Sequence, residues 1–388
     1  MKVRRIRTRR VPEVVTRNAT CSNNGGRKRL YQSRAKCEPR GTTLQSIMRR
    51  RAMATAAISV TLVLVAGAQD IPPVAPLPAP QPFSEWLVEF RNEAATRGIR
   101  PEILEAAFAD VEHPDDTILE RDRTQAEFTL QLDQYLKRRL TPSLVRTGQA
   151  MFTKNRTLLA DIGKRYGVSP RIVVAVWGLE SNFGRFAGVR PTIPALATLA
   201  YDPRRASFFR SELFSALDIL NRGDIDLAKL KGSWAGALGQ PQFMPSTYLK
   251  YAQDFDGDGR RDIWTSQPDV FASVAFYLRE HGWSDQMTWG REVVVPKAAR
   301  AAIESVPKRE EGCRAERVMT VKRPLSEWKK RGLRGLGNRP LPSGEAPASL
   351  VAAGSRHFLV YENYEAILGY NCAHTYALSV ALLSDRMR

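Results

Sequence analysis

The chain has 388 residues, of which 43% are hydrophobic, and this is enough to build a large core and to exceed one average domain. Its net charge of +19 would suit a nucleic-acid partner, but residues 1–51 hold 16 of the 59 basic side chains and only two of the 40 acidic ones. The rest of the chain carries a net charge of only +5, so the basicity belongs to the leader and the body is not expected to bind nucleic acid.

Residues 48–68 are predicted to form a secretory signal. Three arginines after Met48 precede an apolar stretch from Ala52 to Val65, and small residues follow it up to Ala68. A positive segment, a short apolar segment and a small-residue site describe a cleavable signal, so we expect export with cleavage near Ala68. The apolar stretch is short for a transmembrane helix, and an uncleaved membrane anchor is the less favoured alternative.

Residues 1–47 are rich in Arg, Ser, Asn and Gly and lack apolar periodicity, so they are predicted to be disordered. We favour Met48 as the true start of the protein, with a basic arm for nucleic acid or a long signal n-region as the alternatives. After the signal, residues 69–82 include IPPVAPLPAPQP, which predicts an extended, semi-rigid linker.

The four cysteines divide between the leader and the body. Cys21 and Cys37 fall in the leader, whereas Cys313 and Cys372 lie in the body. Export to an oxidising compartment favours a disulfide between the latter two, although the spacing in sequence does not establish that their Cα atoms lie close enough.

Residues 83–285 are predicted to be a helical core. Apolar side chains recur at helical spacing after Phe83, after Pro101, around Leu132 and from about residue 143 to 166. Ordinary core packing explains these stripes. Further helices are predicted over 207–221, 245–252 and 268–281.

A helix of different character starts after Ser169, a predicted N-cap that is followed by Pro170. Its sequence, RIVVAVWGLES, is apolar on nearly every face, which predicts a buried helix with Glu180 at its end. Removal from water disfavours a charged carboxylate, so the pKa of Glu180 is predicted to be raised. A glutamic acid that stays protonated near neutral pH can donate a proton to a glycosidic oxygen. The alternative is a surface glutamate at a helix end.

Segment 232–246, GSWAGALGQPQFMPS, combines small residues with amides and aromatic rings. Small residues let the backbone approach a ligand closely. Gln240 and Gln242 offer amides that suit sugar hydroxyl and acetamido groups, and Trp234 and Phe243 offer flat faces for sugar rings. We therefore predict a carbohydrate-binding loop, with a glycine-rich structural loop as the alternative.

Beyond residue 285 the pattern changes. Short strands are predicted over Glu292–Val295 and His357–Tyr361, and these belong to a predicted small β-containing subdomain over 286–365. Residues 366–388 contain a last apolar helix, which is predicted to return to the core.

The segments GLESNFG, PALATLAYDPRRASFFRSEL, KGSWAGALGQPQFMPSTY, DFDGDG with DIW, and YN with YA, in this order, resemble the lytic murein transglycosylase B family over residues 83–388. The resemblance implies a mainly α (α+β) fold, with a lysozyme-like helical core, extra N-terminal helices and a small C-terminal β-containing subdomain. Two departures are Ala373, where the family commonly has Ser, and Gln240-Pro241, which replaces Tyr-Gly. Together with the residue types, the resemblance predicts Glu180 as the catalytic acid/base and substrate contacts at Ser181, Ser233, Gln240, Gln242, Tyr370, Asn371 and Tyr376.

Residues 254–262, DFDGDGRRD, match the start of an EF-hand calcium loop in their oxygen-bearing side chains and in the glycine at the sixth position. The final glutamate of that loop is replaced by Thr265, and the resemblance implies that Asp269 supplies the missing carboxylate through a longer loop. A structural calcium is therefore expected, with an acidic turn or a sodium site as the alternatives. The predicted ligands are Asp254, Asp256, Asp258, the carbonyl of Arg260, Asp262 and Asp269.

The resemblance implies a periplasmic enzyme that cleaves the MurNAc–GlcNAc β-1,4 bond of peptidoglycan and leaves 1,6-anhydroMurNAc ends. Glu180 would act as its single acid/base, without a catalytic cofactor. The alternatives are a hydrolysing muramidase with the same glutamate and a non-catalytic, calcium-stabilised peptidoglycan-binding scaffold. The expected partners are peptidoglycan glycan strands, without nucleic acid, and a membrane only through an uncleaved signal segment; a monomer is expected.

Overall fold

The structure, a computed structural model, describes residues 81–124 and 131–387. The predictions made for residues 1–47, for the signal at 48–68 and for most of the linker lie outside the described residues. Within the described part helices predominate and small antiparallel sheets accompany them, which confirms the mainly α fold class.

A long helical part comes first, a shorter part that contains most of the strands follows it, and two helices end the described part of the chain. The helices are α1 Phe83–Thr96, α2 Pro101–Phe108, α3 Asp116–Arg123, α4 Leu132–Arg139, α5 Pro142–Lys154, α6 Arg156–Tyr166, α7 Pro170–Ser181, α8 Thr192–Tyr201, α9 Ala206–Arg222, α10 Pro245–Tyr251, α11 Gln267–Glu280, α12 Arg300–Glu304, α13 Arg314–Arg317, α14 Leu325–Lys330, α15 Glu362–Tyr370 and α16 His374–Asp385. The strands are β1 Arg190–Pro191, β2 Lys231–Gly232, β3 Gly290–Val294, β4 Arg323–Pro324, β5 Arg334–Gly335, β6 Pro347–Ala353 and β7 Arg356–Val360.

Helix α7 lies at the centre of the helical part. Pro170 occupies its first turn, where the missing N–H is not needed, and residues 172–179 are all buried. The helix packs against α5, α6, α11 and α16, so a sequence that is apolar on every face has neighbours on every face. The predicted burial is confirmed, but the side chain of Ser169 makes no capping hydrogen bond.

The helix predicted over residues 143–166 is wrong, because the structure has two helices there, α5 and α6. They meet at Asn155, whose backbone is not helical. The Asn155 side chain donates to the carbonyl of Met151 at 2.9 Å and competes with the helical backbone for that acceptor. The helices predicted after Phe83 and Pro101, and those over 207–221, 245–252 and 268–281, correspond to α1, α2, α9, α10 and α11.

The shorter part contains an antiparallel sheet with the strand order β4-β6-β7-β3-β5. The two predicted strands correspond to β3 and β7, whereas β6 was not predicted. Strand β6 has an alanine-rich sequence of low strand propensity. Its pairing with β7, in which Val351 lies opposite Phe358, stabilises it as a strand. Trp328, Leu350 and Leu359 belong to an apolar cluster that is separate from the main core.

The C-terminal residues form two helices rather than the single one that was predicted. Helices α15 and α16 meet at a bend of 117° over residues 371–373. No single helix in the described part is long and apolar enough to cross a membrane, and α15 and α16 reach that length only together, across the bend. A disulfide between Cys313 and Cys372 joins this bend to the start of α13, which confirms the predicted pairing.

Candidate active site

Glu180 lies half-buried at the end of α7, at the rim of a cavity of about 250 Å³. The chain leaves the helix at once, because Asn182, Phe183 and Gly184 all have left-handed backbone conformations, with φ of 50°, 59° and 81°. Such a turn keeps the carboxylate at the surface of the cavity instead of covering it with another helical turn. The other lining residues are Arg139, Leu144, Gly178, Leu179, Asn182 and Phe186.

The hydroxyl of Tyr376 donates a hydrogen bond to Glu180 Oε1 at 2.5 Å. Tyr376 belongs to α16, which packs against α7, so the contact depends on the return of the C-terminal helix to the core. Burial, and next the charge of Glu180, raise the pKa of Tyr376 well above its usual range. The hydroxyl therefore stays protonated at neutral pH and acts as a donor to the carboxylate.

Tyr370 connects the C-terminal bend to the glycine-rich segment. Its hydroxyl donates to the carbonyl of Pro241 at 2.8 Å, and its ring lies nearly parallel to that of Tyr376, with 6.4 Å between the ring centres. Burial, followed by the charge of Glu180, raises the pKa of the Tyr370 hydroxyl well above its usual range. Asn371 is the first residue after α15 and lies half-buried next to Tyr370.

The structure corrects the expectation that Gln240 contacts the substrate. Gln240 is only 6% exposed, and its amide is engaged inside the protein. Trp177 Nε1 donates to Gln240 Oε1 at 2.7 Å, and Gln240 Nε2 donates to the carbonyl of Trp264 at 2.7 Å. A Cβ atom at Gly184 would meet Gln240 Oε1 at 2.5 Å, so the glycine is needed for this packing. Gln240 therefore supports the turn after Glu180 from beneath.

Two further residues differ from their predicted roles for the same reason. Ser181 is fully buried, where its hydroxyl donates to the carbonyl of Trp177 and accepts from the N–H of Gly184. Phe243 is 2% exposed and packs against Tyr277 and Tyr370, so its ring is not available to a sugar. Both side chains hold the site together from inside.

Ser233 and Gln242 lie half-buried on the glycine-rich segment. The hydroxyl of Ser233 accepts from the N–H groups of Ala235 and Ala237, which closes a tight turn. Gln242 has a positive φ of 54°, which is uncommon for a residue with a side chain, and its Nε2 donates to the carbonyl of Gly239 at 2.8 Å. This hydrogen bond fixes the orientation of the Gln242 amide.

Two residues at the cavity were missed in the sequence. Arg139, at the end of α4, donates to the carbonyl of Leu179 at 2.8 Å and places a cation at the cavity wall. Nothing in its local sequence connects it to Glu180, because the contact is tertiary. Phe186 is 67% exposed and also lines the cavity, and its position six residues after Glu180 in the loop was the signal that could have identified it.

The acidic loop brings together Asp254, Asp256 and Asp269, each of which places a carboxylate oxygen within 4.8 Å of the others. Asp269 is fully buried at the start of α11 and accepts from the N–H groups of Phe255 and Asp262, each at 2.8 Å. Burial raises the pKa of Asp269, and the nearby Asp256 and Asp254 raise it further. Three convergent carboxylates are the hard oxygen donors that suit calcium, so the residues present fit this ion.

The other predicted ligands lie outside this group. The carboxylate of Asp258 accepts from the N–H of Arg260, and that of Asp262 accepts from the N–H groups of Trp264 and Thr265. These hydrogen bonds shape the loop, and the roles of Asp258, Asp262 and the Arg260 carbonyl as ligands stay predictions.

A protein-family model described as Transglycosylase SLT domain matches residues 82–385. The chain therefore belongs to this family, and the resemblance expected from its motifs is confirmed. A curated relative, membrane-bound lytic murein transglycosylase B of Escherichia coli K12, is 41% identical over 151 residues, which are 39% of this chain and 42% of the relative. This match spans less than half of the curated relative.

Solved structures give a longer match. SltB3 of Pseudomonas aeruginosa, crystallised in complex with NAG-anhNAM-pentapeptide, is 41% identical with a TM-score of 0.72, covering 79% of this chain and 80% of SltB3. Lytic transglycosylase Slt35 of Escherichia coli, in complex with calcium, is 28% identical with a TM-score of 0.64, covering 78% of this chain and 92% of Slt35. The fold is thus that of lytic transglycosylases.

Proposed function

We propose that this chain is a peptidoglycan lytic transglycosylase in which Glu180 alone serves as acid and base. The observation that carries the proposal is the geometry at the end of α7, where the Tyr376 hydroxyl donates to Glu180 at the rim of a cavity. Among the described residues that line this cavity, Glu180 is the only carboxylate. A mechanism with a second carboxylate as nucleophile therefore has no group to use at this place.

In the first step, protonated Glu180 transfers its proton to the oxygen that links MurNAc to GlcNAc. The bond between this oxygen and the anomeric carbon of MurNAc breaks, and its electron pair remains on the departing GlcNAc hydroxyl. The half-buried position of Glu180 supports this role, because partial removal from water favours the protonated form. A raised pKa of Glu180 remains a prediction.

In the second step, the anomeric carbon carries positive charge and needs stabilisation. The 2-acetamido oxygen of the same MurNAc residue can supply it, as in substrate-assisted glycosidases. Glu180, now ionised, accepts a hydrogen bond from Tyr376 and takes the proton of the MurNAc 6-hydroxyl. The 6-oxygen then bonds to the anomeric carbon, which gives the 1,6-anhydro product, returns Glu180 to its protonated form and consumes no water.

Substrate contacts are proposed for the half-buried polar groups around Glu180. Gln242 has an amide whose orientation is fixed, and Ser233, Tyr370 and Asn371 lie on the two segments that the Tyr370–Pro241 hydrogen bond connects. The exposed ring of Phe186 offers a flat apolar face at the cavity, which suits the face of a sugar ring. These groups would hold the glycan strand so that one glycosidic oxygen faces Glu180.

A calcium ion held by Asp254, Asp256 and Asp269 is proposed as a structural element of this enzyme. The ion would supply charge compensation for three converging carboxylates and would fix the loop at the start of α11. The same loop reaches the site through Gln240, since Gln240 binds the carbonyl of Trp264. No catalytic step is assigned to the ion.

Export to the periplasm is proposed as the location of this activity. The proposal is supported by the signal-like sequence up to Ala68, by the disulfide between Cys313 and Cys372, and by a substrate that lies in the cell wall.

The product distinguishes the proposed reaction from hydrolysis. We expect purified enzyme to release muropeptides from sacculi that lack one water relative to those from a hydrolysing muramidase, as measured by mass spectrometry. Digestion in water labelled with heavy oxygen should leave these products unlabelled. Labelled reducing ends would show a muramidase instead, and the absence of any soluble product from folded enzyme would favour a non-catalytic binding scaffold.

A further inference from the structure

The disulfide between Cys313 and Cys372 lies next to the tyrosines of the active site. Cys372 is two residues after Tyr370, whose hydroxyl binds the Pro241 carbonyl, and four residues before Tyr376, whose hydroxyl binds Glu180. The bend between α15 and α16, which contains Cys372, therefore determines where both hydroxyls lie.

The Cys313 end of the disulfide is held by a compact local structure. Cys313 caps α13, and its N–H donates to Glu316 Oε2 at 2.7 Å. A Cβ atom at Gly312 would meet the same carboxylate at 2.5 Å, so the backbone there requires glycine. Ala315, which is 6% exposed, donates from its N–H to Cys372 Sγ at 3.2 Å. Helix α13 thus offers a fixed point to which the bend is tied.

The bend has little regular structure of its own. The N–H of Asn371 makes a long hydrogen bond of 3.3 Å to the carbonyl of Ile367, and the N–H of Ala373 binds back to Asn371 at 2.7 Å. Asn371 and Ala373 both have extended backbone conformations, so neither continues a helix. A covalent tie at Cys372 therefore removes freedom that these backbone hydrogen bonds do not remove.

We propose that the Cys313–Cys372 disulfide positions Tyr370 and Tyr376 for catalysis, so that the oxidised enzyme is active and the reduced enzyme is much less active. This inference rests on the proposed function of the site. Reduction adds two electrons and two protons to the sulfur–sulfur bond and gives two thiols. A dithiol supplies them and is itself oxidised to a disulfide. The two cysteines are positioning residues, since neither is placed at the reacting atoms.

The first experiment measures kcat and KM for solubilised peptidoglycan strands with oxidised enzyme, with enzyme reduced by a dithiol, and with reduced enzyme that has been reoxidised. We expect reduction to lower kcat roughly tenfold, because the tyrosine that contacts Glu180 is displaced, and to raise KM by a smaller factor, because Tyr370 and Asn371 at the bend are proposed substrate contacts. Reoxidation should restore kcat. Thermal melting of the reduced enzyme must show that it is folded at the assay temperature.

The control is the double variant Cys313→Ser/Cys372→Ser. It should have the low kcat of the reduced enzyme and should not respond to the dithiol, which excludes reduction of any other group. If this variant does not fold, the reduced and reoxidised wild-type enzyme still decide the question.

A double-mutant cycle tests whether the disulfide acts through Tyr376. In Tyr376→Phe the hydrogen bond to Glu180 is already absent, so reduction should lower kcat by less than about twofold instead of tenfold. Equal effects of reduction in wild type and in Tyr376→Phe would exclude this route. An unchanged kcat on reduction, with only a lower melting temperature, would overturn the proposal and leave the disulfide a purely stabilising role. An oxidised enzyme without any activity would contradict the proposed function instead.

Discussion

Two regions of this molecule use carboxylates in different surroundings. At the end of α7 a single carboxylate, Glu180, faces a cavity and accepts a hydrogen bond from the buried Tyr376. In the acidic loop three carboxylates, those of Asp254, Asp256 and Asp269, converge within 4.8 Å. Glu180 shares its cavity with apolar side chains and with one cation, Arg139, whereas the neighbours of the second group are other carboxylates and backbone N–H groups.

The two surroundings suit the carboxylates to the two different roles that we propose for them. Partial removal from water favours the protonated form of a carboxylate, so a carboxylate at a cavity can donate a proton and take one back. Three carboxylates at one point repel each other when ionised, so a divalent cation stabilises them more than protons do at neutral pH. The number of acidic groups and the donors around them therefore separate the proposed catalytic site from the proposed metal site.

The largest effect is expected for Glu180→Gln. The amide keeps the shape of the side chain but cannot transfer a proton, so the release of muropeptides from sacculi should fall by about 10²–10⁴-fold. The matched control is Glu85→Gln on the exposed first turn of α1, which should retain full activity. Substantial activity in folded Glu180→Gln would show that Glu180 is not the catalytic acid/base.

The next effect concerns calcium and Asp269. We expect calcium at about 100 times its dissociation constant to stabilise the wild type by about 2.7 kcal/mol, which thermal melting would detect as a rise of several degrees. Asp269→Asn should abolish this rise, because it removes a charge from the cluster. Asp258→Asn should retain most of it, because the Asp258 carboxylate lies outside the converging group and accepts from the N–H of Arg260.

If Asp269→Asn fails to fold, Asp256→Asn provides the same test from the exposed side of the cluster. Sodium at equal ionic strength controls for screening. If calcium leaves the melting temperature of the wild type unchanged, the proposed calcium site is wrong.

A third effect concerns the burial of one histidine, His374. Burial lowers the pKa of His374, at the start of α16, to about 4. The unfolded chain binds a proton at that group below about pH 6.5, so the folded state loses stability as the pH falls from 6.5 towards 4. At pH 4.5 this loss should be about 2 kcal/mol. His374→Gln should lose less stability than the wild type between pH 7 and pH 4.5, as measured by denaturant unfolding; equal losses would contradict the burial of the imidazole.

The smallest effect is expected for Tyr376→Phe. Removal of one hydrogen bond to Glu180 should lower kcat about tenfold and leave the fold intact, since the ring remains in place. Tyr370→Phe is the matched control, because its hydroxyl binds the Pro241 carbonyl and not Glu180. A larger loss of kcat in Tyr370→Phe than in Tyr376→Phe would reverse the roles that the structure gives to these two residues.

The sequence predicted the helical core well because its signals are local. The apolar run of α7, Pro170 at its start and the glycine that follows α9 each act within a few residues. The predicted sugar contacts of Ser181, Gln240 and Phe243, in contrast, depend on signals that are not local. Their residue types suit a sugar, and only the packing of α7 against the glycine-rich segment shows that their side chains point inward.

The sequence by itself determined that Glu180 ends a buried helix, that an acidic loop follows the glycine-rich segment, and that the family is that of the lytic transglycosylases. Only the tertiary structure decided which groups meet. It placed the Tyr376 hydroxyl on Glu180, 196 residues away in the chain, and selected Asp254, Asp256 and Asp269 from a longer acidic run. The physical reason is that residue type and spacing define what a side chain can do, whereas its partner depends on the packing of distant elements.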